Sequence, residues 1–514
     1  MVENLYSGLL VNSIESVANN SPNKVVFISK GESISASQLF NNSKLIARNL
    51  KKNNFKENEV VLMAIEPGLE FIELIYALLM LRARIAIIDP EMGRENYASK
   101  IKQLSPNWMF VDSRLLFLSE WPILKNLVFR IKKDIPDINF NFKSKIVKVG
   151  LNFPLFKKHI DFKSLLIPTL NDLQLQLSNE AYDNFIVYTS GTLDIPKGVL
   201  HSDNSLNSTI HLLREIIQGG EDDVVGTYLP HFMLLGVASN LVVKIMPVKL
   251  KAKEKLVWLS EEKINIFFGP PSELLPLIIL CESTNRKFPD SVKHLMLGSA
   301  PVHQGFLKRL VNVIHPHTKI TCTYGMTEHL LVAIADGRDK INYNGDGDLL
   351  GKIVSGVDVK INDDNEIIVK SNQLYSRYFH LSNRSDWHET GDLGKIDSNG
   401  NLVLLGRKKE MLIRKDFNIY PALYEGTIKK IPNINEAALI GLYDENIHDE
   451  KVYLALETEI DNLDIIRKLL EKGEYSIDKQ ALPDFIFKMK IPRKGRQDKI
   501  DRNAILQHII ENKL

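Results

Sequence analysis

The sequence predicts an α/β protein. A large N-terminal region of parallel sheets covered by helices ends in a small β module, and a smaller α+β domain follows at the C-terminus. Three observations lead there. Short β-branched runs alternate with amphipathic helical stretches over the first two thirds of the chain, the pattern of parallel sheets whose crossovers are helices. Near Leu349 the texture changes to short strands punctuated by Gly, Asp and Asn, and after Gly406-Arg407-Lys408-Lys409 it changes again to mixed helices and strands.

Leu10 to Asn19 and Ala36 to Leu50 carry apolar residues at helical spacing, with strands at Lys24 to Ile28 and Val60 to Ala64. The apolar stretch Phe71 to Ile88 contains Glu73, Arg82 and Arg84, which suits a buried helix running into a strand better than a membrane span. Further strands are expected at Trp108 to Val111, Phe185 to Thr189, Ile264 to Phe268, Val292 to Leu297 and Lys319 to Thr323. The β module holds Val357 to Ile361 and Glu366 to Val369 among Gly351, Gly356, Asp363, Asp364, Asn399 and Gly400. Beyond it come a helix at Tyr420 to Ile431 and strands at Ala437 to Tyr443 and Val452 to Glu457. A chain of 514 residues exceeds the size at which one core keeps growing, and the boundary is placed to give domains 1–405 and 406–514.

The hydrophobic share of 44% and charged share of 25% describe a globular protein, and 65 basic against 63 acidic residues give no electrostatic case for nucleic acid or an anionic membrane. Two distant cysteines, Cys281 and Cys322, build neither a disulfide framework nor a zinc site and suggest a reducing compartment. The N-terminus, with Glu3 and Glu15, lacks the pattern of a secretory signal, so a cytoplasmic protein is expected.

Candidate chemistry lies at strand ends. Tyr188-Thr189-Ser190-Gly191-Thr192-Leu193-Asp194-Ile195-Pro196-Lys197-Gly198 follows a predicted strand with small and hydroxyl residues and a lysine, parts that can wrap phosphate oxygens. In order along the chain come Gly298-Ser299-Ala300-Pro301, Thr323-Tyr324-Gly325-Met326-Thr327-Glu328, Trp387-His388-Glu389-Thr390-Gly391-Asp392, Gly406-Arg407-Lys408-Lys409 and Ile491-Pro492-Arg493-Lys494-Gly495-Arg496-Gln497-Asp498-Lys499. Each alone reads as an ordinary turn or solvated basic run. Six in one order are a joint signal.

Together these segments resemble the acyl-adenylate-forming superfamily of AMP-binding enzymes, which includes acyl-CoA synthetases, peptide-synthetase adenylation domains and luciferases. The resemblance implies an enzyme that joins a carboxylic acid to AMP with release of pyrophosphate. It implies ATP and Mg²⁺ as cofactors, with CoA or a carrier-protein thiol as acyl acceptor. By resemblance, Thr189, Ser190, Gly191, Thr192 and Lys197 hold phosphates; Gly298, Ser299, Ala300 and Pro301 hold adenine; Tyr324 stacks on it beside Gly325; Thr327 contacts the α-phosphate and Glu328 holds Mg²⁺. Asp392 takes the ribose hydroxyls, Arg407 lies near ribose and phosphates, Lys409 is the pivot between two domain poses, and Lys499 bridges the acid and ATP. Leu81 to Arg94, with Ile88-Asp89-Pro90-Glu91-Met92-Gly93-Arg94, resembles the branch of fatty acyl-CoA ligases and olefin-pathway β-lactone synthetases.

Some positions depart from the family. Leu193 and Asp194 stand where it usually has Thr and Gly, which removes a hydroxyl and puts a carboxylate beside phosphates. Asp416 and Asp498 replace glycines, the first at a loop expected to line the thiol tunnel. Retention of Lys499 favours an active enzyme. For the acyl pocket the segment Tyr228 to Gly236 offers His231, Met233 and Gly236, and the run Val237 to Val243 reads equally as pocket lining or core helix. The segment lacks Asp and Glu to pair an ammonium group, which argues against an amino-acid substrate and for a fatty or other apolar acid. Two competitors stay open: transfer to a carrier protein or closure of a β-lactone, and a non-catalytic nucleotide or acyl-ligand binding protein.

Overall fold

The computed structural model describes residues 5–88, 94–120, 144–150, 159–168, 175–177, 182–188, 197–220, 223–247, 250–381, 384–414, 417–444, 449–473, 475–494 and 499–512. Two large sheets dominate it. In the eight-stranded sheet, Ile160–Asp161, Lys145–Val149, Trp108–Asp112, Val60–Ala64, Arg84–Ile87 and Asp183–Tyr188 run parallel side by side, and Gly198–Ser202 and Arg377–Tyr378 close one edge antiparallel. The thirteen-stranded sheet has a parallel half running from Val25–Ser29 through Val242–Ile245, Val224–Thr227, Ile266–Gly269 and His294–Leu297 to Lys319–Met326.

The strands expected as a small β module form the antiparallel half of that same sheet. Strand Asp348–Ile353 pairs with His329–Asp336 on one side and with Leu402–Arg407 on the other, so the sheet continues without a gap into His388–Ile396, Glu366–Ser371 and Val357–Ile361. The apolar run 237–243 divides between the end of helix Pro230–Ala238 and strand Val242–Ile245.

Helix Leu69–Met80 shows why the N-terminal core holds. It is apolar nearly all round and packs against strands of both sheets, Val25–Ser29 and Arg84–Ile87. Each fully buried Leu, Ile or Phe contributes about 1.5–3 kcal/mol. Its one buried acid, Glu73, accepts a hydrogen bond from Asn42 Nδ2 at 2.6 Å, and burial still pushes its carboxyl pKa up.

Beyond residue 411 the apolar side chains cluster among themselves. Strands Ile434–Asp444, Asp449–Thr458 and Phe485–Lys488 form a separate sheet, with Ile428, Ile466 and Leu470 on one face and Ile505 and Ile509 on the other. Among the described residues, no helix is long and apolar enough to cross a membrane.

Candidate active site

Parallel pairing brings the carboxyl ends of His294–Leu297 and Lys319–Met326 side by side, with Leu297 opposite Cys322. Segments 298–301 and 323–328 therefore emerge together at one rim, where open α/β sheets carry their ligands. Space is tight there. A Cβ on Gly298 would lie 2.2 Å from Thr323 Oγ1, and Ser299 sits at φ +64°. At Gly325 the register slips between Tyr324 and Met326, and a Cβ would meet the Leu330 carbonyl oxygen at 2.2 Å. Only glycine lets the chain double back that closely.

Tyr324 reaches from this rim to Asp392 on strand His388–Ile396, its hydroxyl donating to Oδ2 at 2.7 Å. Asp392 is 2% exposed and lies opposite Arg407 in the ladder, with Arg407 Nε 2.6 Å from Oδ1. That contact is close without alignment, so the buried Oδ1 accepts no hydrogen bond. Burial pushes the Asp392 pKa up, against Arg407, the Tyr324 hydroxyl and Lys499. Lys499 lies near enough to feel the pair from the C-terminal unit. Desolvation of its ammonium first, and Arg407 next, push its pKa down against Asp392 and Glu410.

A second group forms around Glu328. Tyr378 donates to Glu328 Oε1 at 3.0 Å, and Lys197 Nζ sits 5.3 Å from the centroid of the Tyr378 ring. Burial first and the Glu328 charge next raise the Tyr378 pKa, which keeps the phenol a donor. The backbone of 327–328 is held as well: Tyr375 N–H donates to the Glu328 carbonyl at 2.9 Å, and His201 Nε2 lies 2.7 Å from the Thr327 carbonyl. That carbonyl can only accept, so Nε2 of the fully buried His201 carries the proton.

Side-chain attachment changes at Lys409. Arg407 is tied to Asp392, and Lys408 to Glu366 at 2.8 Å and Asp364 at 3.1 Å, all in the large sheet or its loops. Glu410, at the end of the turn Lys408–Glu410, pairs instead with Arg502 of the C-terminal unit at 3.2 Å.

Of the residues singled out in the sequence, Tyr324, Asp392, Arg407 and Lys499 form one group, Lys197 and Glu328 another, and Gly298, Ser299, Gly325 and Thr327 build the rim. Thr189, Ser190, Gly191, Thr192, Leu193, Asp194, Asp416 and Asp498 lie outside the described residues, as do the side chains of His231 and Lys409. Met233 is fully buried in the main core, and a Cβ on Gly236 would lie 1.8 Å from Val243 Cγ2, so both occupy packing positions between helix and strand. Sequence reasoning missed Tyr378 and His201. A tyrosine in Ser376-Arg377-Tyr378-Phe379 carries no signal until sheet pairing places it opposite Val199, two residues from Lys197.

The site's donors suit a nucleotide and a divalent cation. The buried Asp392 Oδ1 is an acceptor without a donor, as a ribose hydroxyl would supply. Glu328 Oε2 has no hydrogen-bond partner among the described residues, and Mg²⁺ is commonly held by one carboxylate plus phosphates. Among the described residues no group of three His, Cys, Asp or Glu is placed to hold a metal ion by itself.

The two large sheets and the separate C-terminal sheet are the fold of the AMP-binding enzymes. The chain belongs to the AMP-binding enzyme family, matched over residues 14–379. It is 26% identical over 331 residues to the long-chain-fatty-acid–CoA ligase FadD13 of Mycobacterium tuberculosis. That alignment covers 60% of this chain and 64% of the relative, so the chain spans just under two thirds of that protein's length. Among solved structures it is similar to the o-succinylbenzoate CoA synthetase of Bacillus subtilis with its acyl-adenylate intermediate, with a TM-score of 0.75 and 19% identity over 96% of this chain and 97% of that one. It is also similar to the amide bond synthetase McbA of Marinactinospora thermotolerans, with a TM-score of 0.76 and 17% identity over 97% and 99%. At these identities the structural likeness is one of fold.

Proposed function

We propose that this chain activates a carboxylic acid with ATP, releasing pyrophosphate, and passes the acyl group from the resulting acyl-adenylate to CoA. The observation that carries the reading is the convergence of Tyr324, Asp392, Arg407 and Lys499, contributed by four separate segments of an AMP-binding enzyme. In this reading Asp392 receives the ribose hydroxyls, Tyr324 packs on adenine above the rim of Gly298 to Pro301, and Arg407 faces the phosphates. The ammonium of Lys499 stands between the attacking carboxylate and the α-phosphate and offsets their repulsion. Mg²⁺, held by Glu328 and the phosphates, supplies further charge neutralisation.

The division into 1–405 and 406–514 belongs to the same proposal. The change of side-chain attachment across Lys408, Lys409 and Glu410 supports a pivot at Lys409. An apolar or fatty acid is the proposed substrate class. Among the described residues Glu273 approaches segment 228–236, but it accepts from Tyr228 and is already paired with Lys255, so it is not available to an amino group. A cytoplasmic setting fits two buried free cysteines.

The test is pyrophosphate release by the purified chain with ATP and Mg²⁺ over fatty, aromatic and short acids, each with and without CoA, beside Lys499→Ala. Release with one class of acid, speeded by CoA and lost in the variant, is expected. Release indifferent to CoA would move the acceptor to a carrier thiol or an internal hydroxyl. ATP binding with no release from any acid would overturn the catalytic reading.

A further inference from the structure

The geometry points to Tyr378 as a positioning residue that aims the free oxygen of Glu328 at a divalent cation and keeps Lys197 from neutralising Glu328. This rests on the reading of Glu328 as the cation's ligand and adds a residue to it.

A glutamate carboxylate turns about a broad, roughly two-fold terminal torsion, so an unheld Glu328 would present either oxygen in many directions. The Tyr378 hydroxyl donates to Oε1 at 3.0 Å and removes that freedom, leaving Oε2 open. The phenol is itself fixed. Strand Arg377–Tyr378 pairs with Gly198–Ser202, Val199 opposite Tyr378, and the flanking Ser376 and Phe379 N–H groups donate to the Leu200 and Gly198 carbonyls at 2.7 Å each. Tyr375 N–H donates to the Glu328 carbonyl, so one short segment holds both the backbone and the side chain of Glu328.

The ring does the second part. Lys197 Nζ rests over its face, 5.3 Å from the centroid, while Glu328 meets its hydroxyl, so cation and anion each engage Tyr378 and not one another. Lys197 makes no ion pair with Glu328 or any other acid among the described residues. With the ring gone, the two side chains could close into a direct pair that competes with the metal for Glu328 and with phosphate for Lys197. The ring gives Lys197 a seat on its electron-rich face that leaves the ammonium's other protons available.

Two variants of the full chain separate the two parts. Tyr378→Phe keeps the ring and loses the hydroxyl; Tyr378→Leu loses both. Mn²⁺ affinity in the presence of ATP, followed by electron paramagnetic resonance, is expected to fall about tenfold in Tyr378→Phe, as losing the partner of a metal-binding carboxylate commonly does. AMP affinity without metal should stay at the wild-type level in Tyr378→Phe. In Tyr378→Leu, ATP affinity without metal should fall as well, because Lys197 is then drawn to Glu328. Mn²⁺ affinity in Tyr378→Phe within about twofold of wild type, with Glu328→Gln strongly impaired, would overturn the role of Tyr378 and leave the reading of Glu328 standing. A parallel loss of AMP affinity in Tyr378→Phe would mark a structural role only and overturn the proposal too. Wild-type Mn²⁺ affinity in Glu328→Gln would remove the reading on which the inference rests.

Discussion

Tyr324 gives a hydrogen bond to Asp392 Oδ2 across 2.7 Å, linking the end of a strand in the parallel half of the large sheet to the middle of a strand in its antiparallel half. This is the one aligned donor to the Asp392 carboxylate among the described residues, since Arg407 approaches the other oxygen off its axis. Tyr324→Phe leaves a buried carboxylate with neither oxygen properly served, at a cost of about 1–3 kcal/mol. AMP affinity should drop about tenfold by calorimetric titration. Unchanged affinity would show that the bond braces the fold and does not prepare the nucleotide site.

Acid should act on the same carboxylate early. Burial raises the Asp392 pKa above its ordinary value, so its protonation, and the loss of its ability to accept two hydroxyls, begins at a higher pH than for a free aspartate. The stability sign follows from the same shift. A raised carboxyl pKa contributes stability that is fully present below the unfolded value and lost as pH rises through the folded one. Acidification should therefore weaken AMP binding while relieving the strain of a buried anion. Titrating AMP between about pH 4 and 7 should show a falling acid limb in wild type that Asp392→Asn lacks.

Gly325→Ala should damage the rim more than its size suggests. The added methyl would meet backbone, the Leu330 carbonyl at 2.2 Å, which cannot rotate away. Opening that bulge should cost about 1–3 kcal/mol and shift Tyr324 off Asp392. Thermal melting together with kcat/KM for pyrophosphate release reads both effects. Normal melting with normal activity would mean the bulge adapts freely.

Arg502 ties the C-terminal unit to the turn Lys408–Glu410. It grips Glu425 through two nitrogens at 2.7 and 2.8 Å, donates to the Leu439 carbonyl and reaches Glu410 at 3.2 Å. Arg502→Ala strands Glu425, which is 7% exposed, at a cost of about 3 kcal/mol. Urea unfolding of the full chain should then show an early transition belonging to residues beyond 411. A single unshifted transition would place the stability of that unit elsewhere.

Much of this site can be read in the sequence because its parts are local. Asp392 and Arg407 stand within short segments dense in Gly and charged residues, and strand periodicity located Val60–Ala64 and Val357–Ile361 to the residue. Packing between distant segments left no such mark. The β module looked self-contained because its turns are dense in Gly and Asn, yet Asp348–Ile353 bonds sideways to His329–Asp336, a register that periodicity does not encode. Tyr378 escaped for the same reason: what matters is its neighbour across the sheet, Val199. Strand Val224–Thr227 is only four residues long and was hidden between better signals.

The ladder partnership of Arg407 with Asp392 ends where the turn Lys408–Glu410 begins, so the guanidinium is fastened to the sheet while the ammonium of Lys499 is carried by the other body. Under the pivot proposed at Lys409, a rotation would leave one cation stationary and take the other away. A nucleotide gripped by Tyr324 and Asp392 would then meet two positive groups in one orientation and one in the other, with nothing altered around its base or sugar. Such a pivot would rewrite the electrostatics of a single pocket without rebuilding it.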